Sequence, residues 1–231
     1  FLGGGALYWY LKPAQAILND INEELINAYK ALREEPEELI RLLTAAAQPP
    51  NTKEKYFKIR GLTPDKPLAK ALRFLYLNKT CFNGLYRVNA SGQFNVPFGG
   101  EKGFTAICDV PNLVACSNLL KGVQLTSEPF ENCINAAKPG DFIYADPPYL
   151  PVKKDSFTRY DAQGFGIEDH QKLAKALKDA QQRGCHVLAS NSYCPETFEI
   201  FKDFTIEPID SRHSINADGD GRKIIKEVLI Y

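Results

Sequence analysis

Short apolar runs alternate with longer segments of helical periodicity along most of the chain, and this alternation is the strongest constraint on its fold. Runs with the length of strands lie at 16–18, 122–126, 141–145, 186–190, 204–209 and 224–231. Between two of them, residues 168–183 repeat apolar side chains at the spacing of an amphipathic helix. Strands separated by helices favour parallel pairing, because a parallel connection needs a long crossover. The pattern therefore predicts an α/β protein with a largely parallel sheet.

Composition limits the classes of protein further. The chain has 231 residues and 44% hydrophobic content, which is enough for one large core with a small second domain. It has 28 basic and 28 acidic residues, so a nucleic-acid partner would have to bind local clusters of basic residues rather than a basic surface. No apolar run is long enough to span a membrane, and no signal peptide is recognisable. We expect a cytoplasmic monomer that does not bind membranes.

The six cysteines are scattered, without a C-x-x-C pair and without a histidine at the spacing of a metal ligand. We interpret them as reduced thiols and expect no metal site. The chain also contains no methionine and begins inside a glycine motif, which indicates part of a longer gene product.

The first half of the chain reads as mostly helical. Helices are predicted at 6–11, 23–33, 36–47 and 68–78, whereas 48–66 has no clear pattern. From 82 to 99 the pattern changes to a period of two, and the Asn-Ala-Ser-Gly sequence at 89–92 is typical of a hairpin turn. We predict that 48–121 is an insertion containing a β-hairpin at 82–99, and that 1–47 and 122–231 form the main domain.

The most specific chemical signal is Asp146-Pro147-Pro148-Tyr149, which directly follows the apolar run Phe142–Ala145. Open α/β sheets bind ligands at the carboxyl ends of their strands. Two prolines stiffen the backbone, and since proline has no backbone N–H they present carbonyl acceptors only. A carboxylate and an aromatic ring lie beside them in the sequence. Such a site suits a planar group that carries an NH₂, for example adenine. The alternative is an ordinary turn in which Tyr149 packs.

A second signal is the glycine-rich start Phe1-Leu2-Gly3-Gly4-Gly5, followed about 15 residues later by Asp20 at the end of a predicted strand. Glycines allow close approach of the backbone to a ligand, and an acidic residue at this position can accept both ribose hydroxyls of a nucleoside cofactor. The alternative is a plain tight turn.

The order of these motifs, with the hairpin between them, resembles the DNA adenine methylase family of bacteria and phages. Residues 82–89, FNGLYRVN, and 92–99, GQFNVPFG, are similar to the recognition hairpin of that family. The resemblance implies a methyltransferase that uses S-adenosylmethionine and has a Rossmann-like sheet. It also implies an inserted helical and β-hairpin domain that recognises duplex DNA. It further implies methylation of adenine N6 after base flipping, within a GATC-like site.

The resemblance also implies roles for individual residues. The implied catalytic residues are Asp146, Pro147, Pro148 and Tyr149, and the implied cofactor-binding residues are Phe1, Gly3, Gly5, Asp20, Phe130 and Asp146. The implied DNA-binding residues are Phe82, Asn83, Leu85, Arg87, Asn89, Pro97 and Tyr160. Arg87 would bind guanine, Leu85 and Pro97 would contact a thymine methyl group, and Phe82 would insert into the base stack.

Several alternatives stay open. Arg87 could contact a phosphate instead. Leu85, Phe94, Val96 and Phe98 could form the core of the hairpin, and we expect this of Phe94 and Phe98. Glu128-Pro129-Phe130 lies where the family often has an acidic residue followed by an aromatic one near the cofactor adenine, and Pro129 departs from that pattern. The family's K-x-x-G-G-K segment would lie upstream of Phe1. A methyltransferase for RNA or a protein amide is a rival, although the latter enzymes usually carry N-P-P-Y. A DNA-binding module that has lost cofactor binding is another.

Overall fold

The computed structural model describes residues 1–48, 51–101, 107–152, 164–212 and 224–231. Within these ranges the chain packs into two compact units, one formed by 3–127 and the other by 1–2 with 128–231. The predicted insertion at 48–121 therefore lies within the first unit, and its separation as a recognition domain stays a prediction.

The unit 3–127 is mostly helical. Its elements are α1 (Ala6–Leu11), β1 (Ile17–Asn19), α2 (Glu23–Glu34), α3 (Pro36–Ala47), α4 (Lys53–Arg60), α5 (Pro67–Thr80), a 3₁₀ turn (Phe82–Gly84), α6 (Val110–Leu119) and β2 (Gln124–Thr126). Strands β1 and β2 pair in parallel, with Ile17 opposite Gln124 and Asn19 opposite Thr126.

Local sequence explains where these helices begin. The Asn22 side chain accepts hydrogen bonds from the backbone of Glu24 and Leu25 at the start of α2, and Pro36 occupies the first turn of α3. Helix α2 packs on α5, and the buried side chains include Ile26, Leu39, Leu43, Tyr76 and Leu77. The predicted bounds of α1 and α3 are confirmed, whereas α4 lies in the segment that had no clear pattern.

The unit that contains 128–231 is a helix-covered sheet. Its elements are α7 (Phe130–Ala136), β3 (Phe142–Ala145), α8 (Ile167–Gln182), β4 (His186–Ser192), α9 (Pro195–Ile200), β5 (Ile206–Arg212) and β6 (Ile224–Ile230). Leu173 and Leu177 of α8 are fully buried in one core with Phe201, Val228 and Ile230. The α/β class is confirmed.

The sheet of this unit is mixed rather than largely parallel. Its order is β3-β4-β6-β5, and only β3 and β4 run parallel, whereas β6 is antiparallel to both β4 and β5. The expectation of a largely parallel sheet is therefore wrong here. Strands β5 and β6 are consecutive in the sequence and neighbours in the sheet, and an antiparallel pair needs a shorter connection than a parallel pair does.

Candidate functional site

The Asp-Pro-Pro-Tyr segment leaves the carboxyl end of β3, as the sequence predicts. The parallel register pairs Ala145 with Ala189, so Asp146 and Ser190 are the next residues on their strands. The Ser190 hydroxyl donates a hydrogen bond of 2.5 Å to Oδ1 of Asp146. Asp146 itself is exposed, and a carboxylate has about four lone-pair sites, so it can accept further hydrogen bonds.

The residues that follow Ser190 hold the other end of the same segment. Oδ1 of Asn191 accepts from the Leu150 backbone N–H at 3.0 Å, and the Ser192 hydroxyl donates to the Leu150 carbonyl at 2.5 Å. Asn191 and Ser192 are buried. Ser190-Asn191-Ser192 therefore anchors both ends of 146–150.

Tyr149 lies within this anchored segment, and its side chain is half-buried. Burial raises the pKa of its phenol, the hydrogen bond with Ser190 lowers it, and the Asp146 charge raises it further. The phenol is therefore neutral at physiological pH. Tyr149 thus offers an uncharged aromatic ring next to the Asp146 acceptors.

Three phenylalanines form an aromatic cluster in the same unit. The rings of Phe1 and Phe130 stack with centroids 5.4 Å apart, and Phe165 contacts both at 5.2 and 5.8 Å. All three are half-buried. Two predicted cofactor residues, Phe1 and Phe130, are therefore brought together although they are far apart in the sequence. Sequence reasoning missed Phe165, whose only signal is its position just before α8.

His170 lies beneath this cluster, in the first turns of α8. It is fully buried, its ring is 4.8 Å from that of Phe165, and its Nδ1 is 2.8 Å from the Gly166 carbonyl. Nε2 is buried and has no partner of good hydrogen-bond geometry among the described residues. Burial lowers the pKa of His170. The carbonyls of Gly166 and Pro148 raise this pKa, but their effect is smaller than that of burial. His170 was also missed from the sequence.

In the other unit, Asp20 binds the glycine-rich loop directly. Its Oδ2 accepts from the Gly3 backbone N–H and its Oδ1 from the Asn22 backbone N–H, both at 2.9 Å. Gly3 and Gly5 have φ values of 50° and 66°, which L side chains rarely adopt. A carboxylate has about four lone-pair sites, so the half-buried Asp20 retains acceptor capacity for a ligand.

Two aromatic side chains fix the same loop. The Tyr29 hydroxyl donates to the Gly3 carbonyl at 3.0 Å, and the Trp9 indole donates to the Gly4 carbonyl at 2.9 Å. Their rings stack with centroids 6.0 Å apart. Sequence reasoning missed both, because loop contacts from helices α1 and α2 leave no local motif.

The predicted hairpin is present as paired backbone without regular strands. Isolated bridges join Cys81 to Phe98 and Val88 to Phe94, and the Asn95 N–H donates to the Arg87 carbonyl at 3.0 Å. The 3₁₀ turn at Phe82–Gly84 replaces strand at one end.

The hairpin separates buried from exposed side chains. Phe94 and Val96 are buried, and Phe98 is half-buried, so the core reading is right for the first two. It is wrong for Leu85, which is 44% exposed. The predicted DNA-contacting residues Phe82, Asn83, Leu85, Arg87, Asn89 and Pro97 are all exposed.

Two of these hairpin residues also shape the backbone. Oδ1 of Asn89 accepts from the backbone N–H groups of Ser91 and Gln93 at 3.0 and 2.9 Å, so this oxygen forms the turn. Asn83 has a φ of 52°, in the left-handed region that asparagine tolerates.

Basic residues near the hairpin differ in availability. Arg73 forms an ion pair with Glu24 at 3.5 Å and its side chain is only 12% exposed, whereas Lys66 and Lys70 are exposed. Tyr160 lies outside the described residues. In the part of the chain that the structure describes, no group of side chains has the composition of a metal site, and no helix is long and apolar enough to cross a membrane.

Comparison with known proteins finds a family model and relatives that match most of the chain. A family model described as D12 class N6 adenine-specific DNA methyltransferase matches residues 1–215. A type II methyltransferase of Lactococcus lactis subsp. cremoris is 39% identical, over 100% of this chain and 84% of the relative. A type II methyltransferase of Methanocaldococcus jannaschii is 37% identical, over 100% and 86%. A DNA adenine methylase of Vibrio cholerae is 32% identical, over 99% and 84%.

Proposed function

Because the chain belongs to the D12 class of N6 adenine-specific DNA methyltransferases, we propose that it takes its methyl group from S-adenosylmethionine and acts on an adenine flipped out of duplex DNA. The observation that carries this proposal is the anchored segment 146–150, with an exposed carboxylate, a stiff proline pair and a neutral tyrosine ring. Flipping is required because an enzyme cannot reach the reacting atom of a stacked base.

In the proposed mechanism, the Asp146 carboxylate and the Pro147 carbonyl accept the two hydrogens of the adenine amine. These hydrogen bonds direct the nitrogen lone pair away from the acceptors, and the Tyr149 ring stacks on the base. When bound, S-adenosylmethionine supplies an electrophilic methyl group on its sulfonium. Transfer of that methyl group to N6 would leave S-adenosylhomocysteine, and the amine would release its displaced proton to solvent past the Asp146 carboxylate. Orientation and electrostatic matching account for the rate.

The residues proposed for cofactor binding fit a nucleoside chemically. Asp20 retains lone pairs that can accept hydrogen bonds from ribose hydroxyls, in addition to its two backbone donors. Phe1 and Phe130 are half-buried aromatic rings suited to contact with an adenine ring. Gly3 and Gly5 leave the loop without side chains where a ligand would approach.

For the DNA partner, we propose that the exposed face of the hairpin reads a GATC-like site. Leu85 and Pro97 present apolar surface for a thymine methyl group, and Arg87 presents a guanidinium for guanine. Phe82, which is 44% exposed at the start of the hairpin, is the proposed wedge in the base stack. Asn83, Asn89 and Tyr160 are proposed contacts to bases or backbone.

Methylation-sensitive sequencing of DNA from cells expressing the protein tests this proposal. Cells expressing wild type should acquire N6-methyladenine within one short sequence, and cells expressing Asp146→Ala at equal level should not. Methylation of cytosine, or equal methylation in both cultures, would overturn the proposal. Methylation at adenine within an unrelated sequence would overturn only the GATC-like assignment.

A further inference from the structure

Arg87, the proposed guanine-reading residue, is held by a single neighbour across the hairpin. Its Nε donates to Oδ1 of Asn95 at 2.7 Å, and its Nη2 donates to the Asn95 backbone carbonyl at 3.3 Å. The backbone pairing of Asn95 with the Arg87 carbonyl fixes the two residues opposite each other. One residue therefore contacts Arg87 through both its side chain and its main chain.

The two contacts use the same edge of the guanidinium. An arginine carries five N–H donors in a planar fork, and Nε with one hydrogen of Nη2 form its side edge. The end edge consists of Nη1 with the second hydrogen of Nη2. Among the described residues, Nη1 has no hydrogen-bond partner. The end edge is thus left for an acceptor pair such as O6 and N7 of guanine, which arginine binds in bidentate geometry.

The two hydrogen bonds to Asn95 would hold the Arg87 side chain in place before DNA binds. A free arginine side chain samples many rotamers, and a bidentate contact requires one of them. A side chain already held in the competent orientation loses less freedom when it binds. The loss of orientation would weaken discrimination at the base pair that Arg87 reads, without removing the positive charge that attracts phosphates.

We propose that Asn95 is a specificity-determining residue, which acts by holding the side edge of Arg87 so that its end edge reads one base pair. This inference rests on the proposed reading of DNA by the hairpin. Asn95 is a positioning residue: it contacts Arg87, and the base contact belongs to Arg87.

The test measures kcat/KM for methylation of a set of duplexes that differ from the preferred site at one base pair each. The variants are Asn95→Ala, Asn95→Asp, Arg87→Ala and the double variant Asn95→Ala with Arg87→Ala. Ser91→Ala is the control, because it removes a polar side chain from the same hairpin, and Ser91 is exposed and uses its backbone N–H in the turn. Thermal melting of each variant shows whether the fold is kept.

Arg87→Ala should lower discrimination at one base pair by about 5- to 150-fold, which is the range for a bidentate contact. Asn95→Ala should lower discrimination at that same pair by about three- to tenfold, because the hydrogen bond to the Asn95 backbone carbonyl remains. The double variant should match Arg87→Ala, since Asn95 acts through Arg87. Asn95→Asp keeps the acceptor oxygen and should keep the discrimination, and Ser91→Ala should resemble wild type.

Three results would overturn the inference. The first is an equal loss on all duplexes for Asn95→Ala, which would make Asn95 a backbone contact. The second is a loss at a different base pair from that of Arg87→Ala, and the third is a double variant that is additive. Failure of the proposed function looks different: wild type itself would show no adenine methylation, or Arg87→Ala would lose rate equally on every duplex.

Discussion

Two carboxylates, Asp146 and Asp20, are central to the proposed chemistry, and their surroundings differ. Asp146 has one hydroxyl donor, Ser190, and is otherwise open to solvent. Asp20 is half-buried and already accepts two backbone N–H groups. Asp146 thus anchors its loop through one oxygen and keeps lone pairs for the proposed substrate contact, whereas both oxygens of Asp20 already support its loop.

Replacement of Asp146 by alanine should therefore remove activity and leave the fold intact. We expect kcat to fall by about 10²- to 10³-fold, as when a group aligned with developing charge is lost. Melting temperature and duplex binding should stay close to wild type. Asp179→Ala, an exposed carboxylate of α8, is the control and should keep full activity. A large drop in melting temperature for Asp146→Ala would instead identify Asp146 as a structural cap of its loop.

Replacement of Asp20 by alanine should weaken the binding of S-adenosylmethionine by about 10- to 100-fold, because hydrogen bonds to a charged group contribute about 1.5–3 kcal/mol. Calorimetric titration of the purified protein measures this dissociation constant. Glu23→Ala, an exposed carboxylate at the start of α2, is the matched control. An unchanged dissociation constant for Asp20→Ala would remove Asp20 from the cofactor site and leave it a loop support.

At the scale of elements, the carboxyl ends of β3 and β4 explain why Asp146 could be found from the sequence. An apolar run that ends in Asp-Pro-Pro-Tyr marks both a strand and its end, so its position needed no tertiary information. The contacts from Asn191 and Ser192 depend on the register between two strands, which no local pattern specifies. The same reason applies to His170 and Phe165, whose roles come only from packing.

The hairpin at 82–99 was predicted from its turn residues, but its detailed structure was not. Its turn residues predicted paired chain at 82–99, and the alternation of buried Phe94 and Val96 with exposed neighbours agrees with that pattern. The 3₁₀ turn and the isolated bridges could not be predicted from the sequence, because the hairpin is held in part by contacts from helices that lie elsewhere in the chain. The Tyr56 hydroxyl of α4 donates to the Val96 carbonyl at 2.7 Å, although α4 lies in a segment with no clear sequence pattern.

Gly99 closes the base of the hairpin by close contact with the backbone. A Cβ atom at this position would lie 2.2 Å from the Cys81 carbonyl oxygen, and backbone cannot move aside as a flexible side chain can. Gly99→Ala should therefore lower the free energy of unfolding by about 1–3 kcal/mol.

Gly61 provides the control for this substitution. Its φ is −74°, and a Cβ there would come no closer than 3.5 Å to other atoms, so Gly61→Ala should change the stability by about 0.5 kcal/mol or less. Denaturant unfolding measures both variants. Equal stability of the two would show that the contact at Gly99 relaxes at no cost.

For the molecule as a whole, the buried His170 predicts how stability depends on pH. Its folded-state pKa is lowered from 6.5, mainly by burial. Below pH 6.5 the unfolded chain therefore binds a proton at this position that the folded chain does not, and stability falls as pH falls. The slope from this one group is about 1.4 kcal/mol per pH unit at most. Above pH 6.5 the group contributes no pH dependence.

Comparison of histidine variants isolates this effect. His170→Asn keeps a donor near the position of Nδ1, and should lose less stability than wild type between pH 7.5 and pH 5.5. His186 is exposed, so His186→Asn should behave as wild type does. Thermal unfolding at the two pH values measures the differences. An identical pH dependence for His170→Asn and wild type would show that His170 titrates alike in the folded and unfolded chain.

The proposed reaction is direct transfer of a methyl group from S-adenosylmethionine to adenine N6 in duplex DNA. Incubation of the purified protein with methyl-labelled S-adenosylmethionine and a duplex, followed by digestion and mass spectrometry of the nucleosides, tests it directly. The predicted result is label in N6-methyldeoxyadenosine alone, formed by wild type and about 10²- to 10³-fold more slowly by Asp146→Ala. Label in another nucleoside, or none with wild type that binds both the cofactor and the duplex, would contradict the claim.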